Sequence, residues 1–450
     1  MSDLRRPAPT SLPVVLTIAG SDSGGGAGIQ ADLKTIEATG GFGASAITAV
    51  TAQNTTAVES SYVLPTEEID AQLRAVSSDF DVAAIKTGML ATGEVIDTVT
   101  DHVRSIDAPV VVDPVMIAAT GDRLLSADAE AAYESLIAEA TLVTPNTDEA
   151  AVLTGVEPTD ETGARAAGER LLEAGADAAL IKGGHMPGAD VVDTLVTADG
   201  VETARHPRVD TDATHGSGCT VSAAIATRLA LGDSLTDAVQ YGVAFMGRAV
   251  RYHHDVGAGP GAVHHVVALR NEAARNDTAE LVSGVVERLA DHGVRSLVPE
   301  VGMNVVGATP YAESTDEVAA VEGRIAKTRS GIAPNRGVRF GASSHVARFL
   351  LGAREFHPEL RFAINCRFDD AVEAALETLG WDVVEYDRDD EPDDAPGTMP
   401  WAARQAFDRP SAPTAVVDRG AVGKEPMTRI VDADADVLAE RALALAEALD

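Results

Sequence analysis

The sequence predicts an α/β protein, with a layered α/β domain followed by a second, smaller α/β domain. The chain has 450 residues, and at about 150 residues per domain this length suggests two or three domains. Apolar residues make up 45% of the chain, which is enough for sizeable cores and excludes global disorder. Short runs rich in Val and Ile alternate with Ala-rich helical stretches, as expected for layered α/β domains.

The first domain is predicted over residues 13–268, behind a flexible N-terminal arm of residues 1–12. Its strand-like runs are PVVLTIAG, VAAIKTGML, APVVVDPVM, ATLVTPN and DAALIKGG. Ala-rich segments such as AEAAYESLIAEA and GARAAGERLLEAGA separate them. Strands of a parallel sheet are buried on both faces and therefore form nearly continuous apolar runs. We expect parallel strands covered by helices.

The second domain is predicted over residues 279–450, after a polar linker at 269–278. AELVSGVVERLADHG has apolar residues at helical spacing, and SLVPEVGMNVV is predicted as the next strand. Later strands are expected in GVRFGAS, ELRFAINC, WDVVEYD and APTAVVD. The acidic, Pro-rich stretch at 387–403 is predicted to be an exposed loop.

The charge balance excludes some classes of partner. The chain has 70 acidic and 35 basic residues, a formal net charge of −35. Such a surface repels phosphate backbones and anionic lipids, so nucleic acid and membranes are not expected partners. Only 5 lysines accompany 30 arginines, and aromatic residues make up 4%. We interpret this composition as adaptation to high salt, where the Debye length falls to about 3 Å. An ordinary acidic protein is the alternative.

The sequence also predicts a soluble, cytoplasmic protein. Its two cysteines, Cys219 and Cys366, lie far apart and do not form a disulfide framework. No apolar run reaches the roughly 18 residues of a membrane span. The run from Val14 to Ala19 is too short for the apolar core of a signal peptide.

A glycine-rich loop follows the first predicted strand in TIAGSDSGGGAGIQADLKT, residues 17–35. Glycines let backbone amides approach a ligand closely, and a following helix N-terminus favours anionic groups. The loop lacks the GK[ST] ending of a P-loop and the spacing of GxGxxG. Alone, it is compatible with either a binding loop or a structural turn.

A second glycine-flanked turn opens a small-residue helix in DATHGSGCTVSAAIA, residues 212–226. The amides of Gly216, Ser217, Gly218 and Cys219 are predicted to stabilise negative charge on a transferring phosphoryl group. Cys219 is expected to have a lowered thiol pKa because it lies at a helix N-terminus. The alternative is a buried structural cysteine.

Polar residues also follow three of the predicted strands, in VVVDPVM, VTPNTDEA and IKGGH. Ligands of open α/β sheets bind at the carboxyl ends of strands. Asp113, Asn146 and Glu149 are oxygen donors of the kind that bind Mg²⁺. Lys182 is one of only five lysines, which suggests that its charge has a function.

These segments, in this order, resemble the ribokinase-like hydroxymethylpyrimidine/phosphomethylpyrimidine kinases of thiamine biosynthesis. The matching segments are TIAGSDSGGGAGIQADLKT, TAVTAQNT, KTGML, DPVM, TPNTDEA, KGGH, THGSGCT and GPGAVHH. The resemblance covers residues 13–268 and implies a three-layer α/β/α kinase domain that forms a homodimer. It further implies ATP-dependent phosphorylation of a pyrimidine alcohol and then of its monophosphate.

The same resemblance assigns roles by position. It implies a pyrimidine site at Gln53, Gly20, Asp32, Met89 and Val115, with Gln53 bonding the aminopyrimidine edge. It implies ATP-binding residues at Lys182, Asn146, Thr214 and Ser217, and Mg²⁺ ligands at Asp113 and Glu149. It implies catalytic groups at Cys219, Gly216 and Gly218.

Whether Cys219 acts as a base or only positions substrate stays open. Ala119 and Ala213 depart from the family pattern, which often has lysine and asparagine at these two positions.

The second domain carries two further clusters, PEVGMNVV with VEGRI, and VRFGASSHVARFLL. A Ser-rich helix start suits a phosphate, and Arg324, Arg329, Arg336 and Arg339 supply cations suited to pyrophosphate. Helix capping and surface arginine are the alternative. These motifs resemble the archaeal-type thiamine-phosphate synthase domain. The resemblance implies condensation of the pyrimidine diphosphate with a thiazole phosphate, with Arg324 and His345 as catalytic residues.

Two other functions remain open at this point. One is a kinase fused to a domain that senses thiamine precursors, because relatives of the second domain occur as regulators. The other is a pyridoxal-type kinase, because those enzymes share the ribokinase-like loops. Gln53 within TAQNT and the presence of the second domain favour the pyrimidine.

Overall fold

The computed structural model describes residues 9–116, 129–186, 188–392 and 397–449. It divides into two compact units, Met1–Leu269 and Arg270–Asp450. None of the helices in these described stretches combines the length and apolar character needed to cross a membrane.

The first unit is built on a mixed eight-stranded sheet with a separate two-stranded hairpin. In chain order its strands are β1 (Val14–Ala19), β2 (Phe42–Ile47), β3 (Ala49–Gln53), β4 (Val58–Val63), β5 (Val82–Thr87), β6 (Val110–Val112), β7 (Leu142–Val143), β8 (Ala178–Ile181), β9 (Asp190–Thr197) and β10 (Gly200–Pro207). The sheet order is β10-β9-β8-β7-β6-β5-β1-β2, and β3 pairs with β4 alone. The six neighbouring strands β2, β1, β5, β6, β7 and β8 run parallel. At the other edge, β9 pairs antiparallel with β8, and β10 pairs antiparallel with β9.

Helices cover both faces of this sheet. They are α1 (Gly28–Thr39), α2 (Thr66–Ser77), α3 (Gly93–Val103), α4 (Tyr133–Ile137), α5 (Thr147–Thr154), α6 (Glu161–Glu173), α7 (Ser217–Ala230) and α8 (Leu235–Arg251). Leu16 and Ile18 of β1 belong to the core formed with α2, α3, α4 and α6. Thr17 points to the opposite face, where its hydroxyl bonds Asp32 of α1. Successive side chains of β1 thus contact helices on opposite faces of the sheet, as in the predicted three-layer α/β/α fold. The five strands predicted from the sequence are β1 and β5 to β8.

The second unit is a smaller three-layer α/β domain. Its strands are β11 (Asn304–Ala308), β12 (Val318–Val321), β13 (Ile325–Lys327), β14 (Ile332–Pro334), β15 (Val338–Phe340), β16 (Phe362–Arg367), β17 (Val383–Glu385), β18 (Ala415–Asp418) and β19 (Met427–Asp432). Seven of them form a sheet in the order β15-β12-β11-β16-β19-β18-β17, in which only β17 and β18 pair in parallel. The other two, β13 and β14, form a hairpin.

The helices of the second unit are divided between the two faces of its sheet. They are α9 (Val267–Ala273), which contains the division between the units, α10 (Arg275–Asp291), α11 (His345–Arg354), α12 (Asp370–Leu379), α13 (Thr398–Phe407) and α14 (Ala435–Glu447). One apolar core joins the sheet to α10, α12 and α14, and another joins it to α11 and α13.

Three local predictions for this unit were wrong in detail. The segment 269–278, predicted as a polar linker, lies largely within α9 and α10, where its polar residues Asn271 and Thr278 are buried. The strand predicted at 296–306 begins only at Asn304, after a short 3-10 turn at Arg295–Leu297. The loop predicted at 387–403 gives way to α13, whose Trp401 and Met399 are buried.

Candidate active site

A cavity of about 580 Å³ opens at the carboxyl ends of the parallel strands in the first unit. Thirteen of the fourteen residues predicted for the kinase site line it, namely Gly20, Gln53, Met89, Asp113, Val115, Asn146, Glu149, Lys182, Thr214, Gly216, Ser217, Gly218 and Cys219. They come from positions far apart in sequence because each parallel strand ends at the same edge of the sheet. The sheet topology therefore assembles the predicted site.

The first glycine loop lies against the end of β1. Gly28 has a φ of +57°, and a Cβ there would lie 2.4 Å from the carbonyl oxygen of Gly20, so only glycine fits. Asp22, which sequence analysis did not single out, accepts the amide protons of Gly24, Gly26 and Ala27. Its carboxylate therefore fixes the shape of the loop before the start of α1.

The pocket for an apolar ring is formed by Gly20, Met89 and Val115. A Cβ on Gly20 would lie 2.9 Å from Met89 Sδ, so a larger residue there would displace the methionine. Met89 packs with Ala49 and Val115 in a small apolar cluster. Gln53, at the end of β3, supplies a polar amide to the same cavity. The arrangement suits a flat heteroaromatic ring with one hydrogen-bonding edge.

A charged cluster lies on the other side of the cavity. Lys182 Nζ is 2.9 Å from Asp113 Oδ1 and 3.9 Å from Glu149 Oε2. Burial raises the pKa of Glu149 to about 7, opposed by the charge of Lys182 and reinforced by Asp113. Asp113 Oδ2 is buried and accepts no hydrogen bond from the described residues. One lysine thus faces two carboxylates, one of which retains an unused acceptor.

These two carboxylates fit a Mg²⁺ site only in part. The described residues contain no cluster of three or more His, Cys, Asp or Glu side chains suited to a metal. Mg²⁺ is commonly held by one or two carboxylates together with substrate phosphates and water. The free Oδ2 of Asp113 suits that kind of site. Glu149 is less available to a metal, because its carboxylate already accepts the backbone N–H of Asn146 in a capping box at the start of α5.

The second glycine turn brings backbone amides beside this cluster. Gly216 has a φ of +86°, and a Cβ there would lie 1.8 Å from the carbonyl oxygen of Gly26. A Cβ on Gly218 would lie 3.2 Å from Lys182 Nζ. Among the described residues, the amides of Gly218 and Cys219 have no protein acceptor, as expected for the first turn of α7. The Ser217 amide donates to Thr214 O instead, so the prediction that all four amides are available was wrong for Ser217.

The predicted lowering of the Cys219 thiol pKa was also wrong. Burial is the largest influence and raises the pKa to about 11, with further increases from Asp32 and Asp113. The positive charge of Lys86 and the Gly28 amide oppose this effect without outweighing it. The thiol is therefore protonated near neutral pH, although it faces the cavity.

Asp32 does not reach the cavity, contrary to its predicted place in the pyrimidine site. Both its carboxylate oxygens lie 2.9 Å from Lys86 Nζ, and Oδ2 accepts a hydrogen bond from Thr17. Asp32 and Lys86 are both fully buried, so they form an ion pair beneath the site. The scarcity of lysine that singled out Lys182 also applies to Lys86.

In the second unit, Arg324 follows β12 in a left-handed conformation with a φ of +68°. Its Nη1 donates to the carbonyl oxygen of Val301. His345 is the first residue of α11, with Nδ1 3.2 Å from Ser344 Oγ. Both residues are exposed, and no hydrogen bond or ion pair joins them in the described part of the chain.

The other predicted features have mixed outcomes. Arg336 and Arg339 both contact Glu322, at 3.3 and 2.8 Å, so their charges are partly neutralised within the domain. Ala213 is buried, and its amide donates to Thr211 Oγ1. Ala119 lies outside the described residues.

Comparison with known proteins identifies both units. Residues 22–264 match the family model of phosphomethylpyrimidine kinase, and residues 282–444 match that of thiamine-phosphate synthase ThiN. A hydroxymethylpyrimidine/phosphomethylpyrimidine kinase of Streptomyces coelicolor is 47% identical over 58% of this chain and 97% of its own length. A thiamine biosynthesis bifunctional protein ThiED of Geobacter sulfurreducens is 44% identical over 58% of this chain and 54% of its own.

Solved structures agree with the fold of the first unit. The ADP complex of Bacillus subtilis pyridoxal kinase superposes with a TM-score of 0.54 and 33% identity, covering 58% of this chain and 99% of its own. The Staphylococcus aureus pyridoxal kinase in complex with pyridoxal gives a TM-score of 0.54 and 32% identity, over 58% and 96%. With the matching family model, these likenesses show that the chain belongs to the phosphomethylpyrimidine kinase family, with a ThiN domain fused behind the kinase.

Proposed function

We propose that this chain catalyses consecutive steps of thiamine biosynthesis. The first unit transfers phosphoryl groups from ATP to 4-amino-5-hydroxymethyl-2-methylpyrimidine and then to its monophosphate. The second condenses the resulting diphosphate with 4-methyl-5-(2-phosphooxyethyl)thiazole, forming thiamine phosphate and releasing pyrophosphate. The observation that carries the kinase assignment is the single cavity that joins a heteroaromatic pocket to a lysine–carboxylate cluster.

In the kinase site, Gly20, Met89 and Val115 hold the pyrimidine ring, and Gln53 bonds its polar edge. Support comes from the apolar cluster that contains Met89 and Val115 and from the Gln53 amide, which lines the same cavity. Asp32 has no direct contact with substrate in this proposal, because it is fully buried against Lys86. Its role is to hold α1 and β5 together beneath the pocket.

Lys182, Thr214, Asn146 and Ser217 bind the phosphates and nearby parts of ATP, and Asp113 and Glu149 are the residues that would hold Mg²⁺. Bound Mg²⁺ would neutralise charge on the phosphates and orient them for transfer. Lys182 Nζ, 2.9 Å from Asp113, lies where it can contact the same phosphates. Asp113 Oδ2, which accepts no hydrogen bond from the described residues, is the best placed metal ligand.

The amides of Gly218 and Cys219 stabilise the charge that develops on the transferring group, with Gly216 permitting the turn. We assign Cys219 a positioning role, because a thiol with a pKa of about 11 is a poor base at neutral pH. Its S–H can donate a weak hydrogen bond to the acceptor hydroxyl oxygen. The loose transition state of phosphoryl transfer loses the alcohol proton late, which makes a strong base unnecessary.

In the synthase unit, Arg324 offsets charge on the leaving pyrophosphate and His345 orients or protonates it. Support comes from their exposure and from the serine-preceded start of α11. A non-catalytic domain that senses thiamine precursors is the competing function. Supplying the pyrimidine diphosphate and thiazole phosphate to purified protein separates the two, since only an enzyme forms thiamine phosphate.

A pyridoxal-type kinase is the competing function for the first unit, favoured by the likeness to solved pyridoxal kinases. The test compares kcat/KM for the pyrimidine alcohol and for pyridoxal with Mg-ATP. Preference for the pyrimidine supports the proposal, whereas preference for pyridoxal would overturn the substrate assignment.

We further propose a cytoplasmic homodimer, associated through the kinase unit, from an organism that lives in high salt. Val50 and Tyr62 pair across the β3–β4 hairpin and are 48% and 65% exposed, so they offer an apolar surface to a second copy. Scarce lysine and the net charge of −35 support the high-salt origin. Sedimentation of Tyr62→Asp against the wild type tests the dimer.

A further inference from the structure

His215 lies where the two glycine loops meet strand β3, and the phosphoryl-transfer chemistry described above gives it no role. Its Nε2 is 3.0 Å from Asp22 Oδ2 and 3.4 Å from Gln53 Nε2. All three residues line the cavity. The side chains of His215 and Asp22 are only 11% and 2% exposed. A nearly buried polar chain therefore leads from the first loop to the residue proposed to recognise the pyrimidine.

Asp22 determines where His215 carries its proton. Burial acts to raise the pKa of Asp22, but hydrogen bonds from His215 and from the amides of Ala27 and Gly24 outweigh it, so the pKa lies below its usual value. An ionised carboxylate has only acceptors. His215 Nε2 must therefore be protonated and donate to Asp22 Oδ2. A protonated Nε2 has no lone pair to accept from an NH₂ group, whereas an oxygen of Gln53 can share the proton donated to Asp22, so the oxygen is favoured beside His215.

Thr51 places a matching demand on the other side of the amide. Its hydroxyl donates to the carbonyl oxygen of Ser21 at 2.8 Å, and Thr51 Oγ1 lies 3.5 Å from Gln53 Oε1. Since its proton is already used, Thr51 Oγ1 can only accept a hydrogen bond from Gln53. Hydrogen bonding to both neighbours therefore favours the orientation with the Gln53 oxygen beside His215 and the Gln53 NH₂ beside Thr51.

In the structure, Gln53 Nε2 lies beside His215 and Gln53 Oε1 lies beside Thr51. A half-turn of the terminal amide exchanges the two atoms without moving any other group. Hydrogen-bond chemistry decides between the two orientations of a glutamine amide. The backbone of Gln53 cannot turn with it, because its N–H donates to Ser23 Oγ at 2.7 Å and its carbonyl accepts from Ser23 Oγ at 2.6 Å. Only the order of oxygen and nitrogen along the rim is adjustable.

We propose that His215, anchored by Asp22, locks the Gln53 amide in one orientation and thereby selects substrates with an amidine edge. In the locked state one oxygen lone pair and one N–H of Gln53 remain for a ligand, always in the same order. A 4-aminopyrimidine pairs with both, because its exocyclic amine donates beside a ring nitrogen that accepts. The 4-oxo analogue presents a carbonyl beside a ring N–H, the reverse order. His215 is thus a specificity-determining positioning residue, an inference that rests on the proposed contact between Gln53 and the pyrimidine.

The test compares dissociation constants of the 4-amino alcohol and its 4-oxo analogue, measured by calorimetry for wild type, His215→Leu and His215→Gln. Matched and mismatched bidentate pairs differ on the order of tenfold to a hundredfold in affinity. We expect wild type to prefer the amino compound by this factor. We expect His215→Leu to lose most of the preference, because its Gln53 amide can turn to suit either ligand. His215→Gln, which can restore an N–H donor, should regain part of it.

General damage to the site would weaken both ligands together and leave their ratio unchanged. An unchanged ratio in folded His215→Leu would therefore overturn the inference. If wild type bound neither compound, the proposed pyrimidine kinase function would fail instead, which keeps the two failures distinct. ADP binding, measured on each variant, confirms that the nucleotide side of the cavity is intact.

A second measurement needs no variant. The nitrogen chemical shifts of His215 in the wild-type protein report which ring nitrogen is protonated. Protonation at Nε2 is expected from the contact with Asp22. A neutral ring protonated only at Nδ1 would contradict the inference even if His215→Leu failed to fold.

Discussion

The two units differ in how fully their candidate catalytic groups are assembled before substrate binds. In the kinase unit, Lys182 and Asp113 are 2.9 Å apart within one cavity. In the synthase unit, Arg324 and His345 are exposed and share no hydrogen bond or ion pair in the described residues. Buried charges keep their strength and geometry because water screens them little. The charged groups of the kinase cavity are therefore held in place before a ligand binds, whereas no contact between Arg324 and His345 in the described residues fixes one relative to the other.

The largest expected effect concerns the ion pair beneath the kinase cavity. Lys86→Met leaves Asp32 as an unpaired charge with no exposure to solvent, and removing one partner of a buried pair costs about 3–5 kcal/mol of folding free energy. Chemical denaturation followed by circular dichroism measures the loss. Replacing both partners, in Asp32→Leu/Lys86→Met, should recover much of it, since no charge is then left unpaired.

An exposed pair in the synthase unit provides the control for that comparison. Arg419 contacts Glu373 and Glu385 at the surface, where solvent screens the charges. Arg419→Met should change stability little. Equal losses of folding free energy in Lys86→Met and Arg419→Met would show that burial does not determine how much these charges contribute to stability.

The next effect separates the two activities through Lys182. Lys182→Met removes the cation beside Asp113 and should lower the kinase kcat by about 10²- to 10³-fold, as when a preorganised electrostatic group is lost. Thiamine phosphate formation from supplied pyrimidine diphosphate should persist. Lys327→Met, an exposed lysine of the second unit, is the matched control and should leave kinase turnover unchanged. A kinase rate retained in Lys182→Met would remove the phosphate-binding role.

The reciprocal effect is expected at His345. His345→Ala should slow thiamine phosphate formation by about 10²-fold, within the range for loss of an acid–base group, and leave the kinase rate intact. Glu355→Ala, at the other end of α11, should affect neither reaction. Undiminished synthase turnover in His345→Ala would exclude a catalytic role for the imidazole.

A smaller effect is expected at Cys219. Since burial raises its thiol pKa to about 11, Cys219→Ala should lower kinase kcat by less than about tenfold, the amides of α7 being retained. Loss of a true general base would cost about 10²- to 10⁴-fold. Steady-state kinetics at saturating Mg-ATP distinguish the two, and a loss in the larger range would restore the base assignment.

The smallest effect concerns salt. With a net charge of −35, the protein repels its own polyanionic substrates, and molar salt screens that repulsion. Both activities should rise from dilute buffer to molar KCl, mainly through lower KM values. Peak activity in dilute buffer would count against adaptation to high salt.

Sequence predicted the parallel centre of the first sheet because its buried strands are unbroken apolar runs. It missed β9, although that strand is mostly buried, and β10, which has mostly exposed residues and no apolar run. Glycine loops, strand ends and the family resemblance together located thirteen of the residues that line the kinase cavity. The prediction misplaced Asp32 and overlooked Lys86, because neither the resemblance nor a local pattern reveals that a helix residue and a strand residue far apart in sequence form a buried ion pair.

Two other failures have the same physical origin. The Cys219 thiol pKa was predicted from the helix N-terminus, but desolvation by the surrounding fold proved larger. Asp22 and His215 lie 193 positions apart and meet only in the folded chain. Burial and long-range pairing depend on the tertiary structure, so local motifs could not supply them.

The most direct test of the bifunctional assignment is one coupled assay with the purified full chain. Pyrimidine alcohol, Mg-ATP and thiazole phosphate are supplied together, and thiamine phosphate is measured for wild type, Lys182→Met and His345→Ala. We expect thiamine phosphate from wild type, strongly slowed formation of pyrimidine diphosphate in Lys182→Met, and accumulation of that diphosphate in His345→Ala. Wild-type protein that makes the diphosphate but no thiamine phosphate would contradict the assignment.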